Sequence, residues 1–320
     1  MTGGTALTRP LLGRSSVSRG RDAAPRPRAA DGRPGGWWAA PALVYFALFA
    51  LVPMALVVVL SFCRWNGLGS PHWTGLGNWA KLLHDPQLGP SLRLSLLLTA
   101  VTWLVQTLIC LPLGVWCAGP QRSRAVLSAV FFVPLLMSSA AVALLFSALL
   151  DPNFGLAHMI GPWLGVPDGN FIGSPRLALW TVMAVVSWQF APFHTLLYQA
   201  AARQVPVSLY EAATVDGAGR WRAFASITLP QLRNTVITSS VLMLVGSLTY
   251  FDIVLILTDG GPGAATRVLP LHMYLTGFSS FDMGYASVLA VLLLVAGTTL
   301  SLLVVRVTGF RRMTSQREGL

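Results

Sequence analysis

Apolar residues run in six long blocks along this chain, separated by shorter polar segments. The blocks cover roughly 38–62, 92–118, 125–150, 177–202, 234–257 and 285–308. A helix needs about 20 apolar residues to span the hydrocarbon core of a bilayer, so each block predicts a transmembrane helix. Pro53, Pro112, Pro134 and Pro192 fall inside these blocks. Neighbouring helices in a membrane re-satisfy the carbonyls that proline frees, so these positions predict kinks and not ends. The expected fold is an all-α integral membrane protein with six transmembrane helices.

Composition agrees with the pattern. Of 320 residues, 54% are hydrophobic and 10% are charged, against about 25% charged in an average soluble domain. The mean hydropathy is +0.64. A soluble domain of this size would lack a polar coat, which a chain surrounded by lipid does not need.

The net charge of +11 divides unevenly between the loops. One side of the predicted topology carries the seven arginines of the tail, then Arg122, Arg124, Arg203, Arg220, Arg222, Arg233, Arg306, Arg311, Arg312 and Arg317. The other side carries only Arg64, Lys81, Arg93, Arg176 and Arg267. Basic residues favour the cytoplasmic side, which predicts both termini in the cytoplasm. A nucleic-acid partner is not expected, because the basic residues sit between apolar runs and not on one soluble face. Trp37, Trp38, Trp65, Trp73 and Trp79 flank the first block as interfacial anchors do. Residues 1–36 are rich in Arg, Gly, Pro and Ala without apolar periodicity, which predicts a disordered cytoplasmic tail and not a secretory signal. Residues 37–310 form the transmembrane domain, and 311–320 a short cytoplasmic C-terminal tail.

Several chemistries are unexpected. Cys63, Cys110 and Cys117 form no CxxC or Cys/His cluster, so they read as packing residues with no metal or disulfide. No GxSxG or HExxH pattern provides a catalytic set, so the chain is not expected to be an enzyme. A phosphate-binding loop of the Walker type needs a lysine after glycine. The only lysine here, Lys81, follows Ala80. A self-sufficient secondary transporter or channel is the alternative function. It predicts charge pairs inside the helices, which the blocks lack apart from Asp252.

The segment 203–233, between the fourth and fifth blocks, carries local signals for two short helices. Ser208 and Glu211 have the spacing of a capping box, and Pro206 precedes it. Gly217 suits a left-handed turn that ends the first helix. A second helix is expected from Ala218 to Thr228, with Trp221, Phe224 and Ile227 on one face, until Pro230 breaks the pattern. Such a pair either lies on the membrane surface, with Arg220 and Arg222 at lipid phosphates, or docks on protein.

Glu211, Ala212, Ala213, Gly217, Ile227, Leu229 and Pro230 match the coupling loop of bacterial ABC-importer permeases at every spacing. The chain resembles that family over roughly residues 40–310, and most closely its maltose-like and glycerol-phosphate-like branch. The stretches Phe251-Asp252, Gly260-Gly261-Pro262-Gly263, Asp151-Pro152-Asn153-Phe154-Gly155 and Phe281-Asp282-Met283-Gly284-Tyr285-Ala286 carry this closer likeness, while Asp259, Pro270 and the Arg-rich tail depart from the pattern. The resemblance implies an importer-permease bundle in the inner membrane of a bacterium, surrounded by lipid. It implies a second homologous permease, two ATP-binding subunits and an extracytoplasmic solute-binding protein as partners, with ATP used by the partner ATPase and no cofactor held by this chain. Glu211, Ala212, Ala213, Gly217, Trp221, Phe224, Ile227, Leu229 and Pro230 are then the expected ATPase-coupling residues.

Polar residues inside membrane helices are expensive and mark candidate functional sites. Gln189, His194, Tyr250, Phe251 and Asp252 form the candidate solute path, with Gln106, Trp188 and Phe193 as further polar or aromatic positions. The competing reading makes the polar side chains interhelical hydrogen bonds, worth about 0.6 kcal/mol each.

Overall fold

The computed structural model describes residues 36–308. The expected tails 1–36, except Gly36, and 311–320 lie outside the described residues. The chain forms two compact units, one up to Ala50 and one from Leu51. The described part of the first is helical: a 3-10 turn over Gly36–Ala39, α1 over Ala40–Phe46, and a π turn that begins at Ala47.

The second unit opens with α2 (Val52–Leu60) and a small antiparallel ribbon of β1 (Cys63–Arg64) and β2 (His72–Trp73). Then come α3 (Gly77–His84), the 30-residue α4 (Leu88–Cys117), α5 (Arg122–Phe131), α6 (Val133–Leu136), α7 (Ser139–Leu149) and α8 (Leu156–Ile160). The 25-residue α9 (Ala178–Ala202) is followed by α10 (Val207–Val215), α11 (Arg220–Ala223), α12 (Leu229–Gln231) and α13 (Arg233–Ser247). The last three are α14 (Asp252–Thr258), α15 (Leu269–Tyr274) and α16 (Met283–Thr308).

The long helix α4 buries its small and weakly polar residues and turns Leu96, Leu104 and Leu108 outward. Along α4, Ser91, Ser95, Thr99, Thr102, Gln106, Cys110, Gly114 and Cys117 recur every three or four positions, and all are buried. Lipid tails are as apolar as leucine, so membrane helices associate through small residues that permit close approach. Gly114 permits such an approach between α4 and α9. A Cβ there would lie 2.7 Å from Thr195 O and 2.7 Å from the Tyr198 Cβ on α9. Hydrogen bonds tie the same seam, with Cys110 Sγ donating to Ala191 O at 3.3 Å and Gln199 Nε2 to Cys117 O at 2.9 Å. Between α4 and α13, Ser247 Oγ donates to Thr99 Oγ1 at 2.9 Å. The main core joins Leu98, Val142, Val182, Val186, Val254 and Leu271 from α4, α7, α9, α14 and α15.

Pro112 and Pro192 lie inside unbroken helices, as expected. Two other blocks are broken more sharply than the sequence reading allowed. The third bends by 97° between Leu136 and Ser139. The break lies beyond Pro134, at Met137 and Ser138, whose ψ values of 145° and 148° are extended. Ser138 starts the new helix by accepting a hydrogen bond from Ala141 N at 3.2 Å, the N-cap role that serine favours. The fifth block bends by 48° between Ser247 and Asp252.

Among the described residues, Trp37–Leu60, Leu88–Cys117 and Met283–Arg306 are long and apolar enough to cross a membrane, and the two bent pairs raise the number to five. The helix α9 is long enough, but its polar residues Gln189, His194 and Gln199 lower its hydropathy.

Candidate coupling loop and solute cavity

The loop after α9 is a helix–turn–helix, but its start differs from expectation. Pro206, with φ −59° and ψ 131°, takes the position before α10, and no side chain caps the helix. Ser208 therefore lies inside the first turn, and the Ser208–Glu211 capping box does not form. Glu211 and Ala212 are exposed, while Ala213 is buried. Gly217 does adopt the left-handed conformation, with φ +70°. Ala218 N donates to Ala213 O at 2.8 Å and Gly217 N to Thr214 O at 3.1 Å, the paired bonds of a Schellman ending.

The second helix starts at Arg220, widens into a π turn over Phe224–Thr228 and continues into α12. Pro230 falls in the first turn of α12, where its missing N–H is tolerated, so it does not stop the helix. The π turn also shifts the register. Trp221 is 82% exposed and meets Phe224 edge-on, at 6.2 Å and 86° between the rings. Ile227 instead packs inward on Tyr198, Val205 and Leu232. Trp221 thus lies in the open, while Phe224 and Ile227 are half-buried. Leu229 is 40% exposed. The Tyr210 hydroxyl and Thr228 Oγ1, 2.9 Å apart, join the two halves of the loop.

A cavity of about 480 Å³ lies where the bent spans meet α9. His194, Tyr250, Phe251 and Asp252 of the predicted solute path line it, together with Ser139, Phe190, Phe193 and Thr249. The break before α14 is what brings Tyr250, Phe251 and Asp252 to the cavity. Tyr250 stacks on Phe190 at 4.8 Å with 18° between the rings. Phe251 faces Tyr274 at 5.3 Å. His194 is 4% exposed, and its Nδ1 is 2.9 Å from Ser239 Oγ.

Gln189 is not part of the lining. Its Nε2 donates to Met137 O at 3.3 Å and to Ser139 Oγ at 3.4 Å, so it occupies a carbonyl left open by the 97° break. Trp188 is also elsewhere, edge-on to Phe146 at 5.2 Å. The sequence reading missed Phe190, although Phe190, Phe193 and His194 have the i, i+3, i+4 spacing of one helical face. Gln189 is turned by about 100° from Phe190 on an α-helix. Gln106 is buried, and its Oε1 has no hydrogen-bond partner.

Long apolar helices, two broken spans and a polar–aromatic cavity at the breaks define a polytopic membrane protein of the transport class. Residues 110–312 match the family described as binding-protein-dependent transport system inner membrane component. The chain belongs to this family. It is 34% identical over 269 residues to the probable ABC transporter permease protein YurN of Bacillus subtilis, covering 82% of this chain and 91% of that protein. It is 31% identical to the diacetylchitobiose uptake system permease protein NgcF of Streptomyces coelicolor, covering 87% and 82%. In fold it is similar to a chain in the crystal structure of a bacterial alginate ABC transporter in complex with alginate pentasaccharide-bound periplasmic protein. The TM-score is 0.75 at 21% identity, covering 88% of this chain and 96% of that one.

Proposed function

We propose that this chain is the membrane-conducting subunit of an ATP-binding-cassette importer that carries a sugar or sugar derivative. It crosses the inner membrane six times, counting each bent pair and α9 as one span, with both termini in the cytoplasm. It pairs with a second permease of its kind and with two ATPase subunits, and an external binding protein delivers the solute. ATP is hydrolysed by the partner subunits, and this chain holds no cofactor.

The observation that carries the reading is the exposed Glu211–Pro230 loop, with seven matching positions and a left-handed Gly217. An exposed loop on the basic side of the chain suits a groove on an ATPase. Closure of the ATPases would draw two such loops together and switch the bundle between inward- and outward-facing states. The cargo assignment draws on permeases named for sugar uptake, such as those for diacetylchitobiose and for trehalose/maltose. The cavity suits such a cargo. Phe190, Phe193 and Tyr250 offer aromatic faces, and Asp252 and Ser139 offer hydroxyl-binding groups.

The test is co-expression with the ATPase and second permease, reconstitution in lipid, and an ATPase assay with a sugar-loaded binding protein. A stable complex whose ATPase rises with the loaded binding protein supports the proposal. Transport by this chain alone, with no ATPase bound, overturns it in favour of a secondary transporter.

A further inference from the structure

A second cavity, of about 510 Å³, lies beneath the Glu211–Pro230 loop, between the last turns of α4 and α9 and the start of α11. Its walls are mostly apolar, with Val115, Val205, Val207 and Phe224, and two arginines are among its lining residues, Arg203 and Arg220. A third arginine is close. Arg124 lies against Gly119, which also lines the cavity, and donates through Nη1 to Trp116 O at 2.7 Å. Its guanidinium rests 4.9 Å from the centre of the Trp116 ring. Neither of the two ion pairs among the described residues involves these arginines. The carboxylates of the same loop, Glu211 and Asp216, do not line the cavity.

Arginine binds phosphate in a fixed, forked geometry, and Arg203 and Arg220 are both exposed, within reach of an external anion. An apolar wall beside two exposed arginines that join neither ion pair of the described residues fits an amphiphile that carries a phosphate. The cavity volume lies within the range of small-ligand sites. Trp116 and Trp221 are both exposed around the same end of the bundle, as aromatic residues are at a membrane–water interface. We propose that this groove binds the headgroup of an anionic phospholipid of the inner leaflet. Arg203 and Arg220 would hold the phosphate, and Val115, Val205 and Phe224 would cover the glycerol and upper acyl chain. Bound there, the lipid would wedge the coupling loop against α4 and α9 and make its position sensitive to the lipid composition of the membrane.

The leaflet assigned to the groove rests on the topology proposed above, but lipid binding does not depend on the transport role. The experiment therefore uses the purified full chain alone, released from detergent in a native mass spectrometer with phosphatidylglycerol or phosphatidylethanolamine added. Phosphatidylglycerol should remain bound at one site in preference to phosphatidylethanolamine. Two basic residues at a membrane surface together change affinity by about thirtyfold, so R203A/R220A should weaken retention by about that factor. R203K/R220K keeps the charge but not the fork and should weaken retention less than R203A/R220A, and R64A/R93A should keep all of it, with equal elution volume showing that each variant is folded. Equal retention by R203A/R220A and the unaltered chain overturns the proposal. So does retention that is equal for the two lipids, or displacement by inorganic phosphate alone, which would define a soluble-anion site. Loss of a co-expressed ATPase from R203A/R220A with lipid retention unchanged also overturns it and assigns the groove to protein docking. Cysteine labelling at Val207 from the outer side would overturn the topology and leave the lipid site standing.

Discussion

The Tyr285 hydroxyl donates a hydrogen bond to Asp85 Oδ2 at 2.6 Å, joining the start of α16 to the turn before α4. The same carboxylate oxygen lies 2.8 Å from His272 Nε2 on α15. Gln87 N donates to Asp85 Oδ1 at 2.8 Å. One carboxylate thus ties the turn before α4 to α15 and α16, 187 and 200 residues further along the chain, at the opposite end of the bundle from the coupling loop. Burial pushes the Asp85 carboxyl up, but the hydrogen bonds from Tyr285, His272 and Gln87 outweigh it and hold the group below the usual aspartate value of 3.8.

A depressed carboxylate contributes stability above its unfolded value, and that contribution is lost as pH falls through the folded value. The stabilisation by Asp85 should be complete at pH 7 and begin to be lost as pH falls below about 4. Tyr285→Phe removes a hydrogen bond to a charged group and should destabilise the purified protein by about 1.5–3 kcal/mol at pH 7. Thermal unfolding in detergent measures this. An unchanged melting temperature at pH 7 would show that the Tyr285 bond contributes nothing, and a difference that does not shrink as pH falls below about 4 would show that the charge on Asp85 is not its source.

Gly217 has φ +70°, and a Cβ there would meet nothing within 4 Å. The penalty for Gly217→Val is therefore one of backbone conformation, about 1–2 kcal/mol in the left-handed region. The turn of the loop should shift, and sugar uptake should fall by more than about tenfold while the chain stays in the membrane. Uptake within twofold of the unaltered chain would remove the coupling role of this turn.

Glu211 makes no capping bond, so Glu211→Ala should leave thermal stability within about 0.5 kcal/mol. Uptake and solute-stimulated ATPase should nevertheless be lost if its exposed carboxylate meets the ATPase. A variant that loses stability and uptake together would point to a structural role instead.

At Gly114, the carbonyl of Thr195 and the side chain of Tyr198 occupy the space a Cβ would need. Gly114→Leu should separate α4 from α9 and destabilise by about 1–3 kcal/mol or more. Its signature is a lower melting temperature and less protein in the membrane, with no effect specific to one sugar.

Gln189 and Tyr250 should separate stability from cargo binding. Gln189→Leu leaves the Met137 carbonyl unpaired and should destabilise by about 1–3 kcal/mol while the ranking of sugars is unchanged. Tyr250→Ala removes the aromatic face on the cavity and should raise the half-saturating sugar concentration by about tenfold, the equivalent of one stacking contact of 1.4 kcal/mol. Uptake measured over a sugar panel decides both. A sugar ranking altered by Gln189→Leu and not by Tyr250→Ala would reverse the two assignments.

The apolar blocks, the basic bias of one side and the spacing from Glu211 to Pro230 are one-dimensional properties. They were legible in the chain because lipid solvation and backbone chemistry act on short windows of sequence. Gly217 belongs with them, since its turn depends only on its own missing Cβ. The breaks at Met137–Ser138 and before Asp252 were hidden, because long apolar runs continue across them and hydropathy cannot distinguish a straight helix from a bent one. Gln189 illustrates the consequence. Its sequence marks it as a polar membrane residue, but only the position of the Met137 carbonyl makes it a structural partner and not part of the cavity lining. The Ser208–Glu211 spacing suggests a cap that Pro206 pre-empts by taking the capping position itself. The groove beneath the loop, with Arg203 and Arg220 at opposite ends of α10, likewise exists only when α4, α9 and α11 are packed together. Local chemistry determined the spans and the loop; the packing of small faces and the rescue of freed carbonyls decided where the spans bend and which side chains meet.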